Sequence, residues 1–151
     1  MRITHPFHAF RFFHPRLLRA QTEEFWAAAL GSDKTVLGAR CLFRGTVDHC
    51  LFHPRDVFRF ACLQNASALV VAHNHPGGSP RPSPQDVAVT EQLLTVALIL
   101  QIPLVDHVIV ARDSYYSFLE NGRLRLRAKE LSEQTWVGST DPVLPNDQEP
   151  D

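Results

Sequence analysis

The stretch Ser67–Asp86, SALVVAHNHPGGSPRPSPQD, carries a strand, a loop and a helix start in one run. Ser67–Ala72 (SALVVA) is apolar, of strand length, and reads as a central buried strand. It passes directly into His73-Asn74-His75-Pro76, and a loop rich in Gly, Pro and Ser follows to Pro82. Ser83-Pro84-Gln85-Asp86 then opens a helix, with Ser at the N-cap, Pro at the first helical position and an acid at the third. In extended chain, residues two apart point to the same side, about 6–7 Å apart at Cα. His73 and His75 can therefore turn both imidazoles onto one cation. Zinc takes nitrogen donors at about 2.0–2.1 Å and favours four donors in a tetrahedron. Asp86, in the first turn of the helix to which the loop returns, is the best third ligand. Three protein donors leave one position for water, the pattern of a catalytic rather than a structural site. Zinc lowers the pKa of that water to about 7. A His-x-His pair alone is commonly incidental, and Ser-Pro-Gln-Asp alone is only a helix start. Joined as strand, loop and helix, they point to one zinc ion per chain, held by His73, His75 and Asp86.

Working outward, Pro54–Asn65 has Val57, Phe58, Ala61 and Cys62 at helical spacing behind a proline at the start, and reads as an amphipathic helix. Before it, Phe25–Leu30, Thr35–Phe43 and Thr46–His53 read as strands of an antiparallel meander, the first two separated by the turn Gly31–Lys34. Residues 1–15 hold two His-Pro pairs that discourage helix, so they read as irregular, with a short helix from Pro15 to Gln21. Downstream, the helix opened at Ser83 runs to Gln101, where Pro103 stops it. Its second half is apolar almost all round, which implies a sheet on one face and, on the other, either another domain or a second copy of the chain in a homodimer through the long helix. Leu104–Ala111 and Tyr115–Leu119 are two more strands. From Ala128 the chain is polar, acidic and Pro-bearing, and reads as a flexible tail.

The chain has 151 residues, one domain's worth, with 44% hydrophobic and 21% charged residues, which suits one core. No apolar run of membrane-spanning length and no signal pattern occur, so no membrane contact or secretion is expected. Cys41, Cys50 and Cys62 are too few and too scattered for a disulfide framework or a four-cysteine zinc site, and fit thiols in a reducing cytoplasm. A net charge of −1 provides no global field toward nucleic acid. Residues 1–20 nevertheless carry Arg2, Arg11, Arg16 and Arg19 with no acid, interleaved with Phe7, Phe10, Phe12 and Phe13. That pattern fits either a nucleic-acid or partner surface or a lead-in that packs on the domain.

His73-Asn74-His75-Pro76 followed by Ser83-x-x-Asp86 resembles the JAMM metalloprotease motif, His-x-His-Pro-x(6)-Ser-x-x-Asp, at every position and at full spacing. The wording AHNHPGGSPRPSPQD (Ala72–Asp86) is similar, more narrowly, to the RadC family of bacterial JAB-domain proteins. FRGT (Phe43–Thr46), HPRDVF (His53–Phe58), IPLVDHVIV (Ile102–Val110) and YYSF (Tyr115–Phe118) add to the likeness. The resemblance implies a single α/β domain of JAB/MPN type, cytidine-deaminase-like, with a mixed sheet flanked by helices. It would span 23–127, after a lead-in at 1–22 and before an acidic tail at 128–151. It implies a cytoplasmic zinc hydrolase cutting a peptide or isopeptide bond in a protein substrate. An upstream glutamate would move the proton from water to the leaving amine, and Ser83 would donate a hydrogen bond to the developing oxyanion. The glutamate is Glu23 or Glu24. The family pattern of Glu two residues before the aromatic that begins the first strand favours Glu23, two before Phe25, and Glu24 stays open.

Asp106-His107 also recurs in the family wording. A buried His there would orient a ligand from behind, or the pair would serve the sheet. His49 and His53 read as ordinary strand residues. Longer RadC-type proteins carry a helix-hairpin-helix region for which the 22 residues before Glu23 leave no room, so a DNA role through that region is not expected. A DNA-repair-associated module with a structural or vestigial zinc is the competing reading. An HNH nuclease is not, because the adjacent letters His73-Asn74-His75 do not build that motif, whose residues are spread along a ββα unit.

Overall fold

The computed structural model describes residues 1–45 and 52–125. Residues 1–15, expected to be irregular, instead enter a helix, α1 (Pro6–Leu17). The restriction that Pro6 places on His5 works in favour of the helix. His5 is extended (φ −147°, ψ 148°), as an N-cap must be, and its ring nitrogen Nδ1 accepts the Phe7 N–H at 3.1 Å. Ala9, Phe12, Phe13 and Leu17 recur at helical spacing and are buried. That burial outweighs Pro15, which removes one backbone donor in the last turn. The helix expected from Pro15 to Gln21 is only the end of this one.

The chain continues through β1 (Glu24–Leu30), β2 (Val36–Arg44), α2 (Pro54–Leu63), β3 (Ala68–Asn74), α3 (Pro84–Leu100), β4 (Leu104–Val110) and β5 (Tyr115–Ser117). The strand expected over Thr46–His53 falls mostly on residues 46–51, outside the described residues, as do His49 and Cys50. Phe52 and His53 lead into α2 without strand pairing, and His53 is its exposed N-cap. The expected acidic tail also lies outside the described residues. Cys41 and Cys62 are free thiols.

The strands form one mixed sheet in the order β2-β1-β3-β4-β5. β1 pairs antiparallel with both β2 and β3, β3 and β4 run parallel across the α3 crossover, and β5 returns antiparallel to β4. β3 is the middle strand and is buried along all seven residues, which is why its sequence shows no alternation. Side chains still alternate between two cores. Phe25, Ala27, Leu69 and Val71 face α2 and α3, with Val57, Ala61, Val89 and Leu93. Ala28, Leu30, Val70 and Val108 face α1, with Phe13 and Leu17. The protein is thus a single α/β domain with helices on both faces of a mixed sheet. Val89, Leu93 and Ala97 of α3 are buried, while Leu98, Ile99 and Leu100 are exposed. No helix of the described residues is long and apolar enough to cross a membrane.

Candidate metal centre

The site forms where β3 runs out toward α3. On β3, His73 lies on the same side as Leu69 and Val71, so its ring faces α3. His75 follows just past the strand end, where its N–H donates to the Val110 carbonyl at 3.1 Å. Asp86 comes from the first turn of α3, held by a reciprocal cap: its N–H donates to Ser83 Oγ at 3.2 Å, and its Oδ2 accepts from the Ser83 N–H at 2.8 Å. His73, His75 and Asp86 are positioned to bind a metal ion.

Their donor atoms test the fit. His73 Nε2 lies 3.1 Å from His75 Nε2 and 3.0 Å from Asp86 Oδ1, and His75 Nε2 lies 3.1 Å from Asp86 Oδ2. Donors on a tetrahedral zinc at about 2.05 Å would stand about 3.3 Å apart, so the triangle is close to the size needed. The tautomers fit as well. His75 Nδ1 lies 2.9 Å from the Ser79 carbonyl, which can only accept, so the proton of the neutral ring is on Nδ1 and Nε2 is bare. The donor set is therefore two imidazole nitrogens and one carboxylate gathered about one point, a set that a cation satisfies.

Charge agrees with this. Burial works to raise the Asp86 pKa, but the hydrogen bonds of His73 and His75 and the charge of His73 outweigh it, holding the carboxyl well below its usual range. The Asp86 hydrogen bond raises the His75 pKa against desolvation.

The other expected residues separate cleanly. A cavity of about 400 Å³ opens at the site, lined by Glu23, His75, Ser83 and Asp86 among others. Glu23 is thus at the cavity, yet outside the three-residue ligand group. Glu24 lies on the opposite side of the strand. Its carboxylate accepts from Trp26 Nε1 at 2.8 Å and pairs with Arg44 at 3.5 Å. Asp106 and His107 also part. Asp106 accepts from Ser117 Oγ at 2.6 Å and the Leu119 N–H at 3.0 Å, away from the site. His107 is fully buried behind the ligands, its Nε2 2.8 Å from His73 Nδ1. Burial, then the facing His73, lowers the His107 pKa well below the ordinary range, which favours the neutral ring.

Two residues carried no signal of their own. Asn74, the middle letter of His-x-His, points to the other face of β3. Its Oδ1 accepts the Glu24 N–H at 2.7 Å and its Nδ2 donates to the Thr22 carbonyl at 3.0 Å, pinning the backbone on both sides of Glu23. Thr90, one turn beyond Asp86, contacts His107 Nδ1 at 2.6 Å and donates to the Asp86 carbonyl at 2.7 Å. Only their closeness to the ligands in sequence could have drawn attention to them.

A family model described as RadC-like JAB domain matches residues 3–123. A UPF0758 protein of Thermotoga maritima is 50% identical over 95 residues, covering 63% of this chain and 43% of that protein. UPF0758 proteins of Symbiobacterium thermophilum and Staphylococcus aureus are 35% and 34% identical over 122 residues, covering 81% of this chain and 52% and 56% of those proteins. The chain spans about half the length of the curated relatives it matches.

Proposed function

Because the chain belongs to the RadC-like JAB domain family, we propose that it is a zinc-dependent hydrolase of the JAMM type, acting on a peptide or isopeptide bond. The observation that carries this reading is the ligand triangle of His73, His75 and Asp86 bordering an open cavity that also holds Glu23 and Ser83. A structural zinc would be enclosed by four protein donors. Among the described residues only three converge.

When bound, zinc in such a three-donor site lowers the pKa of a water toward neutrality and polarises the carbonyl under attack. Glu23 takes a proton from the attacking water as its oxygen bonds to the carbonyl carbon. Glu23 then delivers that proton to the nitrogen as the C–N bond breaks. Asn74 holds the backbone on each side of Glu23, which keeps the carboxylate at the cavity. Ser83 Oγ accepts from the Asp86 N–H, which leaves its own O–H free to donate to the oxyanion. His75 also borders a second cavity of about 400 Å³, formed by Leu17, Leu18 and Arg112 among others. An extended chain crossing the site would thus have room on both sides of the bond being cut, which supports a polymeric rather than a small-molecule substrate.

Metal analysis of the purified chain should find one zinc per chain in wild type and its loss in His75→Ala. On a panel of peptide and lysine-isopeptide probes, Glu23→Gln should abolish cleavage while keeping zinc, a fall of about 10²–10⁴-fold, and Glu24→Gln should cleave nearly as wild type. Normal cleavage by Glu23→Gln would remove Glu23 from this role. Absence of zinc from wild type would remove the metal.

A further inference from the structure

Behind the ligands runs a single buried chain of polar groups. His73 Nδ1 meets His107 Nε2 at 2.8 Å, His107 Nδ1 meets Thr90 Oγ1 at 2.6 Å, and Thr90 Oγ1 meets the Asp86 carbonyl at 2.7 Å. His73, His107 and Thr90 are at most 1% exposed, so water does not compete for any link. The chain begins on one candidate ligand and ends on the backbone of another, and it joins β3, β4 and α3.

Each link has a direction. The Asp86 carbonyl only accepts, so the Thr90 hydroxyl gives it its proton. Thr90 Oγ1 is then free to accept from His107 Nδ1–H. A neutral imidazole protonated at Nδ1 is bare at Nε2, and His107 Nε2 accepts from His73 Nδ1–H. His73 is left with a bare Nε2 aimed at His75 and Asp86. The opposite polarity would leave Thr90 Oγ1 and the Asp86 carbonyl oxygen 2.7 Å apart with no proton between them. In that arrangement Thr90 donates to His107, His107 donates to His73, and His73 Nε2–H donates to Asp86 Oδ1 at 3.0 Å. The two arrangements hold the same number of protons, but only the first offers His73 Nε2 to a cation.

We propose that His107 and Thr90 are positioning residues: together they hold His73 in the tautomer that takes a cation, and the loaded site has the polarity that ends on the Asp86 carbonyl. This rests on the metal site proposed above. His107 needs no contact with substrate for this role, and its ring is clamped by a stacked contact with Phe118 at 4.9 Å and an edge contact with Phe25 at 5.7 Å.

The test uses the full chain loaded with zinc and labelled at histidine nitrogen. Long-range proton–nitrogen spectra should find His107 protonated at Nδ1 and bare at Nε2, and His73 protonated at Nδ1. A His107 proton on Nε2 in the loaded protein overturns the proposal. Zinc affinity, read by competition with a chromophoric chelator, gives a second measure. His107→Phe keeps a ring and deletes the acceptor, and should weaken zinc binding about 10–100-fold. His107→Gln returns an acceptor and should recover part of the loss, and Thr90→Val should weaken binding by less than His107→Phe. Wild-type affinity in folded His107→Phe and Thr90→Val overturns the proposal while leaving the metal site standing. If His107→Phe does not fold, Thr90→Val and the spectra of the wild type decide. A wild-type chain that binds no zinc overturns the metal site itself, and this inference with it.

Discussion

At the scale of the residue, Ser83 has a structural role and a proposed chemical one that pull on different measurements. It caps α3 through its Oγ and N–H, and it borders the cavity beside Glu23. Ser83→Ala should cost about 1 kcal/mol of stability through the lost cap, and should lower kcat by about 10²-fold through the lost oxyanion donor, with zinc retained because the Ser83 N–H to Asp86 remains. Denaturation and steady-state kinetics on one preparation check both, and an unchanged kcat would leave Ser83 as a cap only. His73, His75, Ser83 and Asp86 were legible in the sequence because their chemistry is written in letter type and short spacing. The family pattern favoured Glu23 over Glu24, but residue chemistry alone did not separate them, since adjacent letters of the same acid differ only in which face of β1 each meets. Asn74 and Thr90 were not legible at all, because an amide or a hydroxyl acquires a role only from what folds against it.

At the scale of the element, one irregularity in β4 decides where His107 goes. Leu69 pairs with Leu104, but Val70 pairs with Asp106, so Val105 is an extra residue in the ladder. Regular pairing would set His107 beside Ala72, on the α1 face. With the shift it pairs with Val71 and shares the face of His73. Nothing in the string Leu104–Val110 announces a bulge. The same holds for α1, whose apolar spacing was hidden behind two prolines. The helix is fastened by Phe13, which is fully buried, by Phe10 stacked on Tyr115 at 4.9 Å, and by His14 Nε2 donating to the Arg112 carbonyl at 2.8 Å. Phe13→Ala should destabilise the domain by about 3–5 kcal/mol, measured by urea unfolding. A loss under about 1 kcal/mol would mean that α1 is peripheral to folding.

At the scale of the whole molecule, a buried acid on the α1 side sets a pH dependence separate from the metal site. Burial raises the Asp106 pKa to about 6, against the opposing hydrogen bonds of Ser117 and Leu119. The unfolded chain gives up this proton near pH 4, while the folded chain keeps it to about pH 6. Between those values the folded state binds more protons, so stability falls as pH rises, and above them the effect is constant. Asp106→Asn lacks the titration. Its stability relative to wild type should rise across that window by about 2–3 kcal/mol and then stay level. Asp86, whose pKa is depressed, acts oppositely and at lower pH, and it is present in both proteins. A difference in stability that is flat from pH 4 to 7 would remove Asp106 from this role.

The sequence by itself determined the strand–loop–helix unit, the three residues positioned to bind a metal ion and the cap that orients one of them. These depend on residues close together in the chain, where local geometry and donor chemistry are enough. It also determined that β3 is central, because an unbroken apolar run survives only where both faces are covered. Tertiary structure decided that Glu23, which the family pattern favoured, borders the cavity while Glu24 does not, that Asp106 and His107 part to opposite faces, and that Thr90 closes a chain behind His73 and Asp86. Each of these depends on sheet register and on groups meeting from distant segments, and a one-residue shift in register moves every side chain beyond it to the other face.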